Sequence, residues 1–421
     1  MDRILINGGV PLRGEITVSG AKNAALPLLA ATLLSAEPIE LGNVPDVADI
    51  ASMQRLLQRL GTATTHLAGA PGRVVLHTPE ILDTTAPYEL VRKMRASVLV
   101  LGPLLARTGE ARVSMPGGCA IGSRPIDIHL TGLERMGAVI DLEDGYVRAT
   151  APNGLRGAEI RLPQPSVGAT ENLMMAAALA NGDTLIADAA REPEIVDLAG
   201  LLTSMGAKIE GAGSSQLRIS GVPALHAGVH TIIADRIEAG TYAMAAAITG
   251  GRIVLHNARL DHFGSAREKL EESGVQLEAT GDGLVASASP GGLRGSDVMT
   301  RPYPGFATDL QAQFMALMCR AEGASMISET IFENRFMHVP ELLRMGARIT
   351  VHGGSALVRG VGELRGAPVM ATDLRASVSL VLAALAAKGQ TEINRIYHLD
   401  RGYEHLEQKL AGVGARIERI A

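Results

Sequence analysis

The sequence predicts an α/β protein of two domains, each built from three repeated strand–helix units whose helices are buried inside surrounding sheets. The chain has 421 residues, which is more than a single hydrophobic core usually organises. A short signature recurs six times at spacings of 68 to 76 residues, with a Gly that ends a helical pattern and precedes a strand. Its glycines are Gly61, Gly137, Gly206, Gly274, Gly346 and Gly414. Six similar units therefore account for nearly the whole chain.

Each unit has the same order of predicted elements. A strand leads into an Ala-rich first helix, then a strand, a second helix that ends at the signature Gly, and a closing pair of strands. The first helices are predicted over 23–34, 168–180 and 376–387, and the strands after them over 182–187, 251–256 and 391–396. The segment 173–179 is apolar on every side, so such helices must be buried and the sheets must lie outside them.

Two short segments mark the predicted crossings between the domains. They are Ser19-Gly20-Ala21 and Ala234-Asp235. We therefore expect one domain over 22–233, which carries a loop around Cys119, and a second domain from 1–21 plus 234–421. The second domain carries Asp309, Arg335, Arg375 and Arg401. The alternative is a repeat scaffold without chemistry, whose loops would vary freely in polarity.

Composition excludes several classes of protein. A formal net charge of -5 with no basic block argues against a general nucleic-acid binder. The longest apolar stretch, 378–387, is shorter than the roughly 20 residues that span a bilayer. Two cysteines cannot build a disulfide framework, and the eleven histidines lack metal-site spacing. We expect a cytoplasmic protein with no metal or cofactor, and no membrane or nucleic-acid partner.

Charged residues recur where the helices of the units begin. Helix N-termini and arginine side chains both attract phosphate and carboxylate groups, so converging helix starts would form an anion site. The starts of the first helices hold Lys22, Arg95, Ser166, Asp235, Asp309, Asp373 and Arg375, and the loops before the second helices hold Asp46, Arg124, Asp127, Arg191, Arg259, Arg335 and Arg401. Ordinary helix capping and surface ion pairing are the alternative. Lys22 is unusual, because a cation at a helix start is best explained by a compensating ligand anion.

One loop has the composition of a reactive site. The segment 115–125 places three glycines and two prolines around Cys119, five residues before Arg124. A thiol on such a loop near a cation reacts readily, although a small buried cysteine under a turn remains the alternative. Cys319 lies in an apolar helical segment, which predicts core packing.

At this point the chain resembles a known family over nearly its full length. The resembling segments are 19–25, 116–119, 190–194, 332–338, 371–377 and 400–404. They are similar to those of the enolpyruvyl transferases that act on UDP-N-acetylglucosamine. The resemblance implies a two-domain inside-out α/β barrel and transfer of the enolpyruvyl group of phosphoenolpyruvate to the sugar 3'-hydroxyl, with release of phosphate. It further implies the first committed step of peptidoglycan synthesis, a role in cell shape and division, inhibition by fosfomycin, and a monomer.

The resemblance also implies roles for individual residues. Lys22, Arg124 and Arg401 would bind phosphoenolpyruvate together with Asn23. Cys119 would be the general acid and could form a covalent adduct, and Asp309 would accept the proton of the 3'-hydroxyl. The residues implied for the UDP-sugar are Arg95, Arg124, Pro125, Ile126, Asp127, Ile128, Gln164, Pro165, Ser166, Val167, Asp309 and Ile331, and those completing the polar cleft are Arg335, Asp373 and Arg375. Gln164 departs from the lysine that is common in the family, so a charged contact is lost there.

Two other functions stay open at this stage. The related shikimate-pathway enolpyruvyl transferase shares the fold and phosphoenolpyruvate but acts on shikimate 3-phosphate. A repeat scaffold could also bind a sugar nucleotide without chemistry. The Cys119 loop favours the sugar-nucleotide enzyme over the first, and the pairing of Cys119 with Asp309 argues against the second.

Overall fold

The computed structural model describes residues 2–115 and 126–421. Its strands are β1 Arg3–Asn7, β2 Arg13–Thr17, β3 Ile39–Gly42, β4 Ala63–His66, β5 Val74–His77, β6 Thr85–Ala86, β7 Glu110–Ser114, β8 Val139–Glu143, β9 Tyr146–Thr150, β10 Glu159–Arg161, β11 Asp183–Ala187, β12 Lys208–Glu210, β13 Gln216–Ser220, β14 Gly228–Thr231, β15 Arg252–His256, β16 Val275–Ala279, β17 Gly283–Ala288, β18 Val298–Met299, β19 Ala324–Ser328, β20 Arg348–His352, β21 Ser355–Arg359, β22 Pro368–Met370, β23 Gln390–Asn394 and β24 Arg416–Ile420.

The α-helices follow the predicted alternation with the strands. They are α1 Lys22–Ala31, α2 Ala48–Leu60, α3 Tyr88–Val91, α4 Leu101–Thr108, α5 Asp127–Arg135, α6 Val167–Ala178, α7 Pro193–Ser204, α8 Arg236–Ile248, α9 Ser265–Glu272, α10 Gln311–Met318, α11 Val339–Arg344, α12 Ser377–Ala386 and α13 Leu406–Gly412. Short 3₁₀ helices cover Thr32–Leu34, Arg95–Val100, Leu260–Phe263, Thr308–Leu310 and Ile396–Arg401. None of the helices in the described ranges has the length and apolarity needed to cross a bilayer.

The six four-stranded sheets formed by residues 2–115 and 126–421 share one topology. In each sheet an edge strand runs parallel to its neighbour, and the other two pairings are antiparallel, as in the order β10-β11-β13-β12. The remaining orders are β14-β3-β5-β4, β6-β7-β9-β8, β2-β15-β17-β16, β18-β19-β21-β20 and β22-β23-β1-β24. The predicted six repeats are therefore confirmed as six copies of one strand–helix–strand–helix–strand–strand unit.

The chain folds into two compact units. The terminal unit comprises residues 2–19 and 234–421, and the inserted unit comprises residues 20–115 and 126–233. Each unit holds three of the six sheets. The expected boundaries at 21/22 and 233/234 fall within two residues of these.

The first and fourth repeats exchange their leading strands, β2 and β14, where the chain passes between the two units. By sequence order β2 precedes α1, yet it pairs with β15 in the terminal unit, with Ile16 opposite Leu255. In return β14 pairs with β3 in the inserted unit, with Gly228 opposite Ile39. Strand β1 lies between β23 and β24, so residues 3–7 complete the sheet of the sixth repeat.

Each unit has its own hydrophobic core built on the first helices of its repeats. Every residue of α8 is buried, as is every residue of α6 from Ala169 to Ala178. The cores consist of Ala, Leu, Ile, Val and Met with few aromatic side chains. This confirms that helices without a polar face lie inside, with the sheets packed around them.

The signature glycines end the second helices in a left-handed conformation. Their φ angles lie between +90° and +115°, one or two residues beyond the last helical residue. An L-residue with a side chain is strained in this region, whereas Gly is not. The recurring Gly is therefore a conformational requirement of each repeat.

The last repeat allows a direct test of this requirement. Gly414 has a φ of +96° and Gly412 ends helix α13, and an added Cβ at either position has no atom within 4 Å. We expect Gly414→Ala to lower the stability of the terminal unit by about 1–2 kcal/mol through backbone strain. Gly412→Ala should be neutral or stabilise by about 0.5–1 kcal/mol, because Ala is a better helix former. Differential scanning calorimetry of both variants checks this, and equal shifts of the transition would contradict it.

Cys319 lies in the core, as its apolar segment predicted. The residue is fully buried directly after α10, and burial raises the pKa of its thiol to about 12. Thiolate is the reactive form of cysteine, so this residue is both inaccessible and predominantly protonated at neutral pH.

A labelling experiment on a Cys119→Ser variant tests the inertness of Cys319. The chain has two cysteines, so Cys319 is then its only thiol. At pH 8 the folded variant should incorporate no iodoacetamide over an hour, and the variant unfolded in urea should incorporate one equivalent by mass spectrometry. Labelling of the folded variant at the rate of the unfolded one would refute the burial argument.

Candidate active site

Asp309 belongs to a largely buried cluster of two acids and two arginines in the terminal unit. Asp309 lies in the 3₁₀ turn that leads into α10, and Arg335 donates from Nη2 to its Oδ1 at 2.7 Å. The Nε of Arg375 lies 3.5 Å from Asp309 Oδ2, and its Nη2 lies 3.2 Å from Asp235 Oδ2. Two carboxylates and two guanidinium groups thus balance in formal charge. Their residues come from the starts of helices in three different repeats.

Arg375 is the most deeply buried member of the cluster. Its side chain is 1% exposed, lies 5.3 Å from the ring centroid of Tyr403, and donates from Nη1 to the carbonyl of Gly402 at 2.9 Å. Burial alone would lower the pKa of Arg375, but the carboxylates of Asp235 and Asp309 raise it above its ordinary value. The residue is therefore a permanent buried cation, and removal of either acid would leave it undercompensated.

The carboxylate of Asp309 is more accessible than the arginines that hold it. Its side chain is 23% exposed, whereas those of Arg335 and Arg375 are 4% and 1% exposed. Both carboxylate oxygens are oriented by guanidinium nitrogen atoms on the buried side. Because the carboxylate is partly exposed, a ligand that donates a hydrogen bond can reach it from the accessible side.

Helix capping accounts for several of the other charged or polar helix starts. Asp235 Oδ1 accepts from the backbone N–H groups of Ile237 and Glu238 at 2.8 and 3.1 Å. Asp373 Oδ1 accepts from those of Arg375 and Ala376, both at 2.7 Å. Ser166 Oγ accepts from the N–H of Ala169 in the same way at 3.4 Å. The capping alternative is thus correct for Asp235 and Ser166, whereas the bonds of Asp373 close the turn before α12. Capping does not explain the cluster around Asp309.

Lys22 has a protein partner that the sequence analysis did not foresee. It begins α1, its Nζ lies 3.5 Å from Asp49 Oδ2, and both side chains are less than a tenth exposed. Asp49 lies in the first turn of α2, so the carboxylate that compensates the cation comes from the second helix of the same repeat. The only sequence signal was an acidic residue near a helix start, which is common on any helix.

The residues expected to bind a UDP-sugar lie at several places on the inserted unit. Arg95 begins a 3₁₀ helix and is half-buried. Asn23, which is expected at phosphoenolpyruvate, is half-buried in the first turn of α1. Asp127 and Ile128 open α5 and line a depression of about 440 Å³ with Arg135 and Arg161 on its wall. Ile126 is buried, Gln164 and Pro165 are exposed, and Ser166 and Val167 are half-buried at the start of α6.

The other expected residues divide between the terminal unit and the undescribed segment. Ile331 is half-buried after β19, and Arg401 is half-buried at the end of the 3₁₀ helix Ile396–Arg401. Cys119, Arg124 and Pro125 lie outside the described residues. Within the described ranges no group of three or more His, Cys, Asp or Glu side chains has the arrangement of a metal site.

Three residues near Asp309 were missed by the sequence analysis as candidates. Thr308 accepts a hydrogen bond from Arg335 Nη1 at 2.8 Å, and Glu329 in turn accepts one from the Thr308 hydroxyl. His338 is fully buried, and both of its ring nitrogens are without a hydrogen-bond partner among the described residues. Only Thr308 had a signal, its position directly before Asp309. Burial lowers the pKa of His338 to about 4, although the carboxylate of Asp373 acts in the opposite direction.

The low pKa of His338 makes the stability of the protein depend on pH. The residue stays neutral in the folded protein down to about pH 4, whereas the unfolded chain binds its proton near pH 6.5. The unfolded state therefore binds more protons between these values, and stability falls as the pH is lowered through that window. We expect wild type to lose on the order of 2 kcal/mol more than His338→Gln between pH 7 and pH 5. Urea unfolding at both pH values measures this difference, and parallel losses would contradict it.

The sequence is similar to those of known proteins over nearly its full length. A family model described as EPSP synthase (3-phosphoshikimate 1-carboxyvinyltransferase) matches residues 6–410. The chain is 64% identical over 421 residues to the UDP-N-acetylglucosamine 1-carboxyvinyltransferase of Granulibacter bethesdensis, with 100% of both chains covered. It is 62% identical to the protein of that name from Rhodospirillum centenum, with 100% of this chain and 99% of the relative covered.

Solved structures share the fold. The enolpyruvyl transferase NikO from Streptomyces tendae is 26% identical, with a TM-score of 0.89 and coverage of 99% of this chain and 98% of that one. An EPSP synthase from Acinetobacter baumannii is 19% identical, with a TM-score of 0.77 and full coverage of both chains, a likeness that speaks for the fold alone. Six repeats with buried helices, a full-length family match and relatives at this identity lead to one assignment. The chain belongs to the enolpyruvyl transferase family, and within it to the UDP-N-acetylglucosamine 1-carboxyvinyltransferases.

Proposed function

We propose that this protein transfers the enolpyruvyl group of phosphoenolpyruvate to the 3'-hydroxyl of UDP-N-acetylglucosamine and releases phosphate. One observation carries the proposal. Eight relatives that are 58–64% identical to the whole chain are all named UDP-N-acetylglucosamine 1-carboxyvinyltransferase. At that identity over the full length, substrate-binding side chains seldom change their chemistry as a set.

The reaction needs an acid, a base and a site for two anionic groups. Protonation of the methylene carbon of phosphoenolpyruvate makes the adjacent carbon electrophilic, and the sugar hydroxyl adds to that carbon as it loses its own proton. The tetrahedral adduct then loses a proton from the methyl group and expels phosphate, which restores the double bond. An acid and a base in position each contribute about 10² to 10⁴-fold. We assign Cys119 as the acid and Asp309 as the base.

The position of Asp309 supports its assignment as the base. Its carboxylate is partly exposed while Arg335 and Arg375 hold it from the buried side. A base with a fixed orientation does not have to be reoriented when the substrate hydroxyl arrives. The burial of the two arginines supports a role in positioning Asp309 for both of them, within the polar cleft that the sequence predicts.

Cys119 supplies the proton in this proposal. A thiol with the ordinary pKa of about 8.5 is mostly protonated at neutral pH, so it can act as an acid. Arg124 favours the thiolate instead, and the phosphate of the substrate offsets that cation. The same thiol is the group that fosfomycin would alkylate, with formation of a covalent adduct.

Substrate binding is assigned to the residues that the family resemblance implies. Lys22, Asn23, Arg124 and Arg401 bind the phosphate and carboxylate of phosphoenolpyruvate. The UDP-sugar is bound by Arg95, by residues 124–128 and 164–167, by Asp309 and by Ile331, and Asp373 completes the polar surroundings. At Gln164 a neutral amide provides a weaker hydrogen bond than a charged side chain would.

The cellular role follows from the reaction. The product is the first committed precursor of peptidoglycan, so the protein would act in the cytoplasm, where both substrates are made, and would support cell shape and division. We propose that it acts as a monomer with no cofactor.

Phosphate release with different acceptors tests the proposal against its alternatives. The purified protein is mixed with phosphoenolpyruvate and either UDP-N-acetylglucosamine, shikimate 3-phosphate or no acceptor. Release only with UDP-N-acetylglucosamine is expected, at a rate that Asp309→Asn lowers by roughly 10² to 10⁴-fold. Release only with shikimate 3-phosphate would favour a 3-phosphoshikimate 1-carboxyvinyltransferase. Sugar-nucleotide binding without phosphate release would favour a scaffold.

A further inference from the structure

Glu329 is a buried carboxylate whose four hydrogen-bond donors are all neutral. The residue follows β19 and is 6% exposed. Its Oε1 accepts from Thr300 Oγ1 at 2.9 Å and from the backbone N–H groups of Ile331 and Phe332 at 2.8 and 3.1 Å. Its Oε2 accepts from Thr308 Oγ1 at 2.8 Å. Burial of a carboxylate costs free energy unless hydrogen bonds compensate it. The four hydrogen bonds that Glu329 accepts provide this compensation and hold the segments that donate them.

The hydroxyl of Thr308 joins Glu329 to the cluster around Asp309. Arg335 donates to Thr308 Oγ1 from Nη1 and to Asp309 Oδ1 from Nη2. A guanidinium group can only donate, and an ionised carboxylate can only accept. The single proton of the hydroxyl must therefore point to Glu329, and its lone pair must face Arg335. This leaves one arrangement of the hydrogen bonds from Glu329 to Asp309.

The other oxygen of Glu329 fixes the segment that carries Ile331. Two consecutive backbone N–H groups converge on Oε1, which sets the turn directly after β19. Thr330, between them and Glu329, is held by its own bond from N–H to Thr300 Oγ1 at 2.9 Å. One carboxylate therefore determines both the position of the Ile331 backbone and, through Thr308, the direction of the Arg335 guanidinium.

We propose that Glu329 is a positioning residue that couples the orientation of the base Asp309 to the loop carrying the sugar-contacting Ile331. The inference rests on the roles given to Asp309 and Ile331 in the proposed function. Arg335 is held between Asp309 directly and Glu329 through one hydroxyl, so a displacement of the Ile331 loop changes the direction from which Arg335 meets the base. Binding of the UDP-sugar and activation of its hydroxyl are thereby linked through side chains that do not touch the substrate.

A change at Thr308 separates the orientation of Arg335 from the position of the Ile331 loop. Thr308→Val keeps the shape of the side chain and removes the hydroxyl, so Arg335 loses an acceptor while Glu329 still binds the Ile331 loop. We expect kcat to fall by roughly 10 to 100-fold with the KM for UDP-N-acetylglucosamine within about threefold of wild type. Thr308→Ser restores the hydroxyl and should return kcat to within about threefold of wild type.

Glu329→Gln should affect both the orientation of Arg335 and the position of the Ile331 loop. The amide oxygen can still accept from the loop N–H groups, but the amide nitrogen presents a donor to Thr308 where an acceptor is needed. We expect kcat to fall by roughly 10 to 100-fold and the KM for UDP-N-acetylglucosamine to rise by about 3 to 10-fold. The KM for phosphoenolpyruvate should change less than that for the sugar nucleotide.

Matched controls show whether these effects are specific. Glu341→Gln alters a carboxylate of the same unit that also accepts a backbone N–H, from Met370 at 3.0 Å. Thr391→Val removes a buried hydroxyl that has no hydrogen-bond partner among the described residues. Both controls should keep wild-type kinetics. Thermal unfolding of every variant ensures that the kinetic comparison is made on folded protein.

The outcomes distinguish this inference from the proposed function. A wild-type protein that releases no phosphate with UDP-N-acetylglucosamine would refute the function and with it the coupling. An active wild type with a folded Thr308→Val variant of unchanged kcat would overturn the coupling alone. The coupling would also fail if Thr308→Ser were as impaired as Thr308→Val, since a loss that the hydroxyl does not restore reflects side-chain shape only.

Discussion

Helices that lack a polar face impose the architecture of this chain. The first helix of each repeat is apolar on nearly all sides, so it is stable only when protein surrounds it completely. Three sheets per unit supply that cover, and each sheet offers one apolar face inward and a polar face to solvent. Asp235, Asp309 and Arg375 of the charged cluster lie at the starts of these buried helices, because only helix ends leave backbone groups for other partners.

Periodic features of the fold were predictable from the sequence, whereas exchanges between distant segments were not. The signature glycines and the buried first helices follow from local backbone and solvation requirements, which recur in every repeat. The pairing of β2 with β15, and of β14 with β3, joins strands more than two hundred and nearly two hundred residues apart along the chain. Edge strands of equivalent repeats have similar patterns, so local sequence does not determine which of two equivalent sheets each one joins.

The candidate site shows the same division. Charged residues at helix starts were visible in the sequence, but capping acids and cluster acids occur at the same positions and have the same residue type. Asp373 binds backbone N–H groups of the turn before α12, whereas Asp309 binds two arginines, and only the geometry separates them. Glu329 gave no signal at all, because a glutamate at the end of a strand is ordinarily solvated. Its importance arises from the four donors that distant segments bring to it.

The placement of β1 and β2 has a consequence for synthesis of the protein on the ribosome. Both strands are translated before the inserted unit, yet β1 requires β23 and β24 as neighbours, and those strands are translated only after that unit. The inserted unit can reach its native core while translation continues, because all of its strands precede residue 234. Strand β2 can pair as soon as β15 has been made, whereas β1 must remain unpaired in the nascent chain, exposed to chaperones and proteases, until β23 and β24 follow.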